Sequence, residues 1–383
     1  MSRLADLIAE LCPDGVEYRP LSELVRIRNG CDYKALSSGN VPVYGSGGVM
    51  THVSEALGEG PTVLIPRKGS LDNIFFVEGE FWTVDTIFYT EIASELDPKF
   101  FFYKMKTMQL SQMNEAAGVP SMNQKKLGRI LIPVPPLEVQ REIVRILDQF
   151  TTLEAELEAE LTIRRRQHSF YRSELLARES LQKRVGVLEY KTLGDLFETR
   201  NGYTPSKRDH TAWDRDDVPW FRMEDIRENG GILESALISI SNSAVKAGRV
   251  FPANSILVAT SATIGAHALV TVEHLSNQRF TSLQPKEIAY GLFDPYFLYY
   301  YCFLLDEYCL NHTNVSSFAS VDMRAFRAFE FPILPLDVQS EIVSILDQFT
   351  GLETELEAEI EARRAQCAYY RDRLLSFPEK KAE

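Results

Sequence analysis

The residues in this chain of 383 best suited to chemistry are basic side chains set beside apolar runs and glycine turns. Arg67-Lys68 follows Thr62-Val63-Leu64-Ile65-Pro66 and precedes Gly69-Ser70. Further cations are Lys104 and Lys106, Lys125-Lys126 with Arg129, Lys207-Arg208, Arg222, Arg227, Lys246, Arg249, Arg279, Arg324 and Arg327. Such groups hold phosphate backbones, and Arg, Asn and Gln match the edges of guanine and adenine. The formal net charge of −13 runs against a free-standing, nonspecific nucleic-acid binder, which is usually basic. The acid is concentrated elsewhere, in Leu153-Glu154-Ala155-Glu156-Leu157-Glu158-Ala159-Glu160 and Leu352-Glu353-Thr354-Glu355-Leu356-Glu357-Ala358-Glu359. Acidic helices held off DNA and basic heads placed on it reconcile the two.

Catalytic patterns are weak by comparison. Gly45-Ser46-Gly47-Gly48 lacks the Gly-Lys-Ser/Thr ending of a phosphate loop, and no Gly-x-Gly-x-x-Gly follows a strand. Asp294-Pro295-Tyr296 is one proline short of an amino-methyltransferase motif, and its counterpart Asp97-Pro98-Lys99 marks both as helix starts, Asp capping and Pro first. Histidines 52, 168, 210, 267, 274 and 312 have no metal-ligand spacing, and no Gly-x-Ser-x-Gly elbow occurs. The expectation is a chain that is not an enzyme by itself and needs no metal or cofactor. Cys12, Cys31, Cys302, Cys309 and Cys367 contain no Cys-x-x-Cys pair, which reads as reduced thiols in a cytoplasm. No apolar run reaches 18 residues, and Met1-Ser2-Arg3-Leu4-Ala5-Asp6 meets an acid too early for a signal peptide. No membrane association is expected.

The elements that must position these cations are duplicated. Residues 136–176 and 335–375 align without a gap at an offset of 199, and 27 of the 41 positions are identical. Pro136-Leu137-Glu138-Val139-Gln140 leads to Ile146-Leu147-Asp148-Gln149-Phe150-Thr151, and Pro335-Leu336-Asp337-Val338-Gln339 leads to Ile345-Leu346-Asp347-Gln348-Phe349-Thr350. Weaker matches extend the repeat: Glu17-Tyr18 with Glu189-Tyr190, Arg28-Asn29-Gly30 with Arg200-Asn201-Gly202, and Asp97-Pro98 with Asp294-Pro295. At Glu17/Glu189 the offset is 172, so the second head is longer by 199 − 172 = 27 residues. The chain is a tandem of two modules, each a head followed by a long helix.

Both helices carry a heptad-like apolar stripe. Ile146, Phe150, Leu153, Leu157 and Leu161 form it in the first, and Ile345, Phe349, Leu352, Leu356 and Ile360 in the second. Arg164 and Arg363 interrupt it, and His168-Tyr171-Leu175 and Cys367-Tyr370-Leu374 resume it. About 40 residues make roughly 60 Å of rod, which needs a partner, and the two rods are expected to pair antiparallel. A structural hairpin with no further role is the plain alternative. The heads read as mixed α/β, with a strand running into a Gly-rich loop over Val41–Val49 and strands at Thr62–Pro66, Ile74–Val77 and Phe81–Val84, then Val218–Arg222 and Ser255–Ser261. Expected boundaries are 1–135 (head), 136–182 (helix), 183–334 (head) and 335–383 (helix and tail).

The duplicated Pro-Leu-x-Val-Gln-x-Glu-Ile-Val-x-Ile-Leu-Asp-Gln-Phe-Thr helices resemble those of specificity subunits of type I restriction–modification systems. The Val-Pro-Val-Tyr-Gly-Ser-Gly-Gly loop, the Arg-Lys-Gly-Ser turn and the Ser-Ile-Leu-Val…Ile-Gly…Asn-Gln series carry the same resemblance. The acidic Glu-Ala-Glu-Leu blocks look most like the group with short repeats in those helices. The resemblance implies an α/β (α+β) chain with a pseudo-two-fold repeat: two target recognition domains joined by two long antiparallel coiled-coil helices. Each domain would read one half of a split, asymmetric site in double-stranded DNA. The helices would set the gap and hold two modification (methyltransferase) subunits, and restriction (nuclease/translocase) subunits would complete the complex. S-adenosylmethionine and ATP chemistry would sit on those partners. An orphan reader serving another methyltransferase or phage-defence complex, and a scaffold with two protein-binding heads, are the competing readings.

A rigid two-headed reader facing one side of a duplex spaces its half-sites about 10 base pairs, or about 34 Å, apart. Candidate DNA contacts are Tyr44, Ser46, Arg67, Lys68, Asn123, Gln124 and Lys125 in the first head. In the second they are Lys207, Arg208, Arg222, Thr260, Ser261, Asn277, Gln278, Arg279 and Arg324. Each also has a structural reading, and Asn277-Gln278 reads equally well as a turn.

Overall fold

The computed structural model describes residues 2–114, 118–314 and 319–380. The chain divides into two units, Met1–Glu160 with Leu356–Glu383, and Leu161–Glu355. The division falls inside the long helices.

In the first unit, Thr62–Pro66 is buried along its whole length. It lies in an antiparallel sheet ordered Val25–Asn29, Ile87–Ile92, Thr62–Pro66, Phe75–Val77. A second sheet is ordered Gly48–Val53, Ser38–Gly45, Glu80–Thr83, Gly58–Glu59, with Ser38–Gly45 parallel to Glu80–Thr83. The second unit repeats the plan. Its main sheet is ordered Phe197–Asn201, Phe280–Pro285, Ser255–Ala259, His267–Val270, Ile232–Leu233, and Val218–Phe221 runs parallel to Leu275–Ser276 in the smaller one. The sequence pattern placed Thr62–Pro66 and the strands near Phe75–Val77, Glu80–Thr83, Val218–Phe221 and Ser255–Ala259, but not their partners Val25–Asn29, Ile87–Ile92, Phe197–Asn201, His267–Val270 and Phe280–Pro285.

The structural register shows where the longer head gained its residues. Val84 donates its N–H to the Tyr44 carbonyl, as Asn277 does to Phe221, an offset of 177 at the acceptors. Arg67 donates to the Thr86 carbonyl, as Thr260 does to Arg279, an offset of 193. The growth from 177 to 193 lies in one interval, which in the second unit holds the helix Met223–Asn229 and the strands Ile232–Leu233 and Ser239–Ile240.

Three repeated sequence features find physical causes. Asp97 and Asp294 cap helices Pro98–Lys106 and Pro295–Asn311, each accepting from two backbone N–H groups. Gly30 and Gly202 sit so close to the opposite strand that a Cβ would lie 2.2 Å from the Val84 and Ser276 carbonyl oxygens, respectively. Gln140 and Gln339 are fully buried. Gln140 accepts from Asp97 N–H at 2.7 Å and donates to the carbonyls of Glu95 at 2.9 Å and Pro135 at 2.7 Å. Gln339 accepts from Asp294 N–H at 2.9 Å and donates to Leu292 at 2.7 Å and Leu334 at 2.8 Å.

The long helices are Leu137–Leu176 and Leu336–Leu374. Their most buried stripe is Val139, Ile143 and Leu147 in the first and Ile342 and Leu346 in the second, all at 0–1 % exposure and packed into the core of a head. Tyr103 and Tyr300 donate to Asp148 and Asp347, each at 2.7 Å. Burial is the main cause holding both phenols above their ordinary range, so they stay protonated donors. The expected antiparallel seam is present in each unit beside this stripe. In the first unit Phe150 stacks on Tyr370 at 5.7 Å, and Arg364 pairs with Glu154 at 2.6 Å and also with Glu158. In the second, His168 Nδ1 lies 2.8 Å from Glu353 Oε1, and its ring stacks on Phe349 at 5.6 Å. Leu161 and Ile360 are buried, and Ile146, Phe150, Leu153, Leu157, Ile345, Phe349 and Leu356 are half-buried. Leu352 departs from the expectation: it is 44 % exposed and so cannot be counted among the buried seam residues.

No helix among the described residues is long and apolar enough to cross a membrane.

Candidate nucleic-acid interface

Each unit carries an open cavity at the junction of its two sheets. In the first unit it measures about 780 Å³ and is lined by Asp32, Tyr33, Lys34, Gly45, Ser46, Gly47, Met50, Val84, Asp85 and Thr86. In the second it measures about 540 Å³ and is lined by Thr204, Lys207, His210, Trp213, Trp220, Arg222, Glu224, Ile238, Asn277, Gln278 and Arg279. The register makes these one site. The carbonyls of Tyr44 and Phe221 receive the N–H groups of Val84 and Asn277, so Gly45 corresponds to Arg222. In the facing turn between strands, Asp85-Thr86 corresponds to Gln278-Arg279. Both cavities open just after the Arg-Asn-Gly motif, whose Arg and Asn end a strand and whose glycine lies against the facing backbone at Val84 and Ser276.

The scaffold is shared and the lining is not. The first cavity holds two carboxylates, Asp32 and Asp85, and one cation, Lys34. The second holds Lys207, Arg222 and Arg279 against one carboxylate, Glu224. Its walls are aromatic: Trp213 and Trp220 meet edge to face at 5.3 Å, and Arg222 lies over the Trp220 ring at 5.9 Å. Five candidates named from sequence, Lys207, Arg222, Asn277, Gln278 and Arg279, converge here, and in the first unit Ser46 does.

Arg67 and Lys68 lie beside the first cavity, not in its wall. Gly69, at φ +86°, turns so that a Cβ would lie 2.8 Å from Ser46 Oγ. Lys68 is exposed and bridges to Ser121, while Arg67 is half-buried, its guanidinium 5.8 Å from the Phe88 ring centre. The Arg67 carbonyl accepts from Met122 N–H at 2.9 Å, which brings Asn123, Gln124 and Lys125 onto the same rim. The second unit repeats this join: Ser261 bridges to Ser320, and Thr260 accepts from Val321 N–H at 2.9 Å. Arg324 there corresponds to Lys125, and both are exposed.

Four candidates have structural duties. Thr260 is buried and its hydroxyl is paired with that of Thr281 at 2.8 Å. Tyr44 is half-buried against Phe75 at 5.8 Å, and burial holds its phenol above the ordinary range. Asn123 caps helix Gln124–Gly128 by accepting from Lys126 N–H at 2.8 Å. The Gln124 amide donates to Asn29 Oδ1 at 3.2 Å. Residue type alone does not reveal that a polar group is already satisfied. Ser261 and Arg208 lie outside both cavities, Ser261 half-buried and Arg208 exposed. The sequence reading missed Asp32, Lys34, Asp85, Thr86, Trp213 and Trp220. The repeated Arg-Asn-Gly motif was the available signal, since most of these residues lie within reach of it or the facing turn.

No group of three or more His, Cys, Asp or Glu able to hold a metal is found among the described residues. All five thiols are pushed above their ordinary value, each chiefly by burial, which leaves them protonated and weak as nucleophiles.

Comparison with known proteins points one way. The family described as type I restriction modification DNA specificity domain matches residues 13–163 and 188–362. The Escherichia coli type I restriction enzyme EcoprrI specificity subunit is 54 % identical over 222 residues, 55 % of each chain. The match thus spans about half the length of that relative. The EcoR124I/EcoR124II specificity subunit, also from Escherichia coli, is 33 % identical over 73 % of this chain and 71 % of its own. Among solved structures, a type I restriction–modification S subunit from M. genitalium aligns over 96 % of this chain and 97 % of its own, with a TM-score of 0.54 and 15 % identity. A chain from a study of complex assembly and conformational transition of the type I system aligns over 95 % and 97 %, with a TM-score of 0.60 and 18 % identity.

Proposed function

Because the chain belongs to the type I restriction–modification DNA specificity family, we propose that it selects the DNA sequence for such a complex, each unit reading one half of a split duplex site. The observation that carries this is the pair of cavities at one topological position with unlike linings. Duplication explains the common position. Two different half-sites explain why Asp85-Thr86 faces Gly45 in one cavity and Gln278-Arg279 faces Arg222 in the other. Base edges specify while phosphates position, so the cavities specify and the exposed rim cations Lys68, Lys125, Arg208 and Arg324 position.

In this reading the chain is the recognition component, and methyl transfer, translocation and cleavage reside on modification and restriction subunits. The long helices dock two copies of the modification subunit. Phe170 and its counterpart Tyr369, 199 positions on, are each 60 % exposed, an aromatic pair repeated on the twin helices as two copies of one partner require.

Exchanging residues 16–135 for the corresponding head of another such protein tests the assignment. Mapping of methylated sites in cells is expected to show one half-site replaced and the other retained. A change in both would show that the two units do not read independently.

A second expectation concerns the rim. Changing Arg67 and Lys68 together to Ala should weaken binding of all duplexes alike. It should also flatten the dependence of log Kobs on log[salt] by up to about two phosphate contacts. Loss confined to one base position would instead make Arg67 a guanine reader, since a planar guanidinium serves both purposes. An unchanged affinity and salt slope in the folded double mutant would remove this turn from the interface.

A further inference from the structure

The cavity of the second unit is weighted toward donors: Lys207, Arg222 and Arg279 face one carboxylate, Glu224. Gln278 Oε1 accepts from the Thr204 hydroxyl at 2.6 Å, and Asn277 Oδ1 accepts from the Arg279 backbone N–H at 3.0 Å. Each amide oxygen thus already holds one protein donor, while both amides keep NH2 donors to offer a ligand. Trp213 and Trp220 have used their N–H groups on the carbonyls of Ser206 and Tyr203, at 3.1 and 2.9 Å, and leave ring surface as the wall. Arg222 is the best-placed donor. Its side chain is 25 % exposed, and its Nε is buried without a hydrogen-bond partner. The nearest carboxylate oxygen, Glu224 Oε2, lies 4.0 Å away, beyond hydrogen-bond reach. A buried guanidinium nitrogen left unpaired is costly unless a ligand completes it.

A surface that offers donors matches an edge that offers acceptors. In the major groove guanine presents N7 and O6, two acceptors side by side, whereas adenine places a donor beside its N7 and cytosine presents a donor. Resting on the proposed DNA-reading role, we infer that the second unit reads a guanine through N7 and O6 with Arg222, while Arg279 and Lys207 meet the flanking phosphates. Exposure separates the two duties: Arg222 is inside the cavity, and Arg279 and Lys207 are exposed at its edge. The first unit is built to refuse the same edge. Its cavity has Gly45 at the Arg222 position and carries Asp32 and Asp85, whose oxygens would oppose N7 and O6.

The full chain, assembled with modification subunits and with its target mapped by methylation, is the material for the test. Each guanine of the mapped site is replaced in turn by 7-deazaguanine, which keeps the base pair and removes the N7 acceptor. One guanine, in the half-site that survives exchange of residues 16–135, is expected to cost about 5- to 150-fold in affinity when replaced. Arg222→Met should abolish that sensitivity and bind guanine and 7-deazaguanine alike. Arg222→Lys, which keeps the charge and loses the planar fork, should retain most of the overall affinity and lose the discrimination. Undiminished selectivity at the other half-site serves as the control for folding in both variants. If no guanine in that half-site responds, or if Arg222→Met weakens all duplexes equally, Arg222 is a phosphate contact and the inference is wrong, while the specificity role stands. If the unaltered complex binds all duplexes alike, the specificity role itself fails and the guanine assignment goes with it.

Discussion

Gln140→Met is expected to destabilise the first unit by about 1–3 kcal/mol, and Gln339→Met to do the same to the second. Methionine fills a similar volume, so the loss isolates hydrogen bonding from cavity formation. Each substitution strands three backbone groups, one buried and two part-buried: for Gln140 the Pro135 carbonyl, and the Asp97 N–H and Glu95 carbonyl. An unsatisfied buried group costs about 1–3 kcal/mol, and the two part-buried groups, which water can reach, add less. Because Gln140 and all its partners lie in one unit and Gln339 and its partners in the other, the two losses should be separable. Amide hydrogen exchange is expected to rise across Thr62–Pro66 with the first variant and across Ser255–Ala259 with the second. Equal loosening of both strands by either variant would show that the glutamines do not act unit by unit.

That glutamine also marks the limit of what a repeat reveals. The Pro-Leu-x-Val-Gln identity at 136–140 and 335–339 announced that something there is fixed, and the Asp-Pro starts at 97 and 294 were legible as caps. It did not announce that the glutamine reaches back to the residue capping the head helix. The helical stripe was legible for a similar reason and incomplete for another. A period near 3.5 says that a helix buries one face, but these helices bury two. Val139, Ile143 and Leu147 enter the head while Phe150 and Leu157 follow the seam, and the two stripes adjoin on one amphipathic surface. Leu352 fits the seam spacing and still lies 44 % exposed.

In the heads, strands were readable from composition because burial demands apolar side chains there. The cavities were not, because they form where two sheets meet, and a sequence window contains only one wall at a time. Thr260 and Arg67, both named as candidate contacts, prove to be counterparts in the structure, each donating its N–H across the facing turn. Their duties differ: Thr260 is held by Thr281 in the core, whereas Arg67 is half-buried at the rim. Equivalent position was predictable, and equivalent function was not.

Extending both long helices by one four-residue block should change the gap of the DNA site and leave its half-sites alone. A Leu-Glu-Ala-Glu block added within Leu153–Glu160, with its match in Leu352–Glu359, continues a pattern already present in the chain. Four residues add about 6 Å of helix and advance it about 400°, so apolar positions return to within about 40° of their face. The seam contacts on either side can therefore re-form in the same order, Phe150 with Tyr370 in one unit and His168 with Phe349 in the other. With base pairs about 3.4 Å apart, 6 Å corresponds to nearly two. Methylation mapping is expected to recover the original two half-sequences separated by about two more base pairs, with modification of the original sites lost. The heads are unaltered, so nothing in their cavities gives a reason for the half-sequences to change. An altered half-sequence with the gap unchanged would mean that the helices do not measure the site. Loss of all modification, with both units still folded by hydrogen exchange, would mean that they hold the partner subunits at a length that cannot vary.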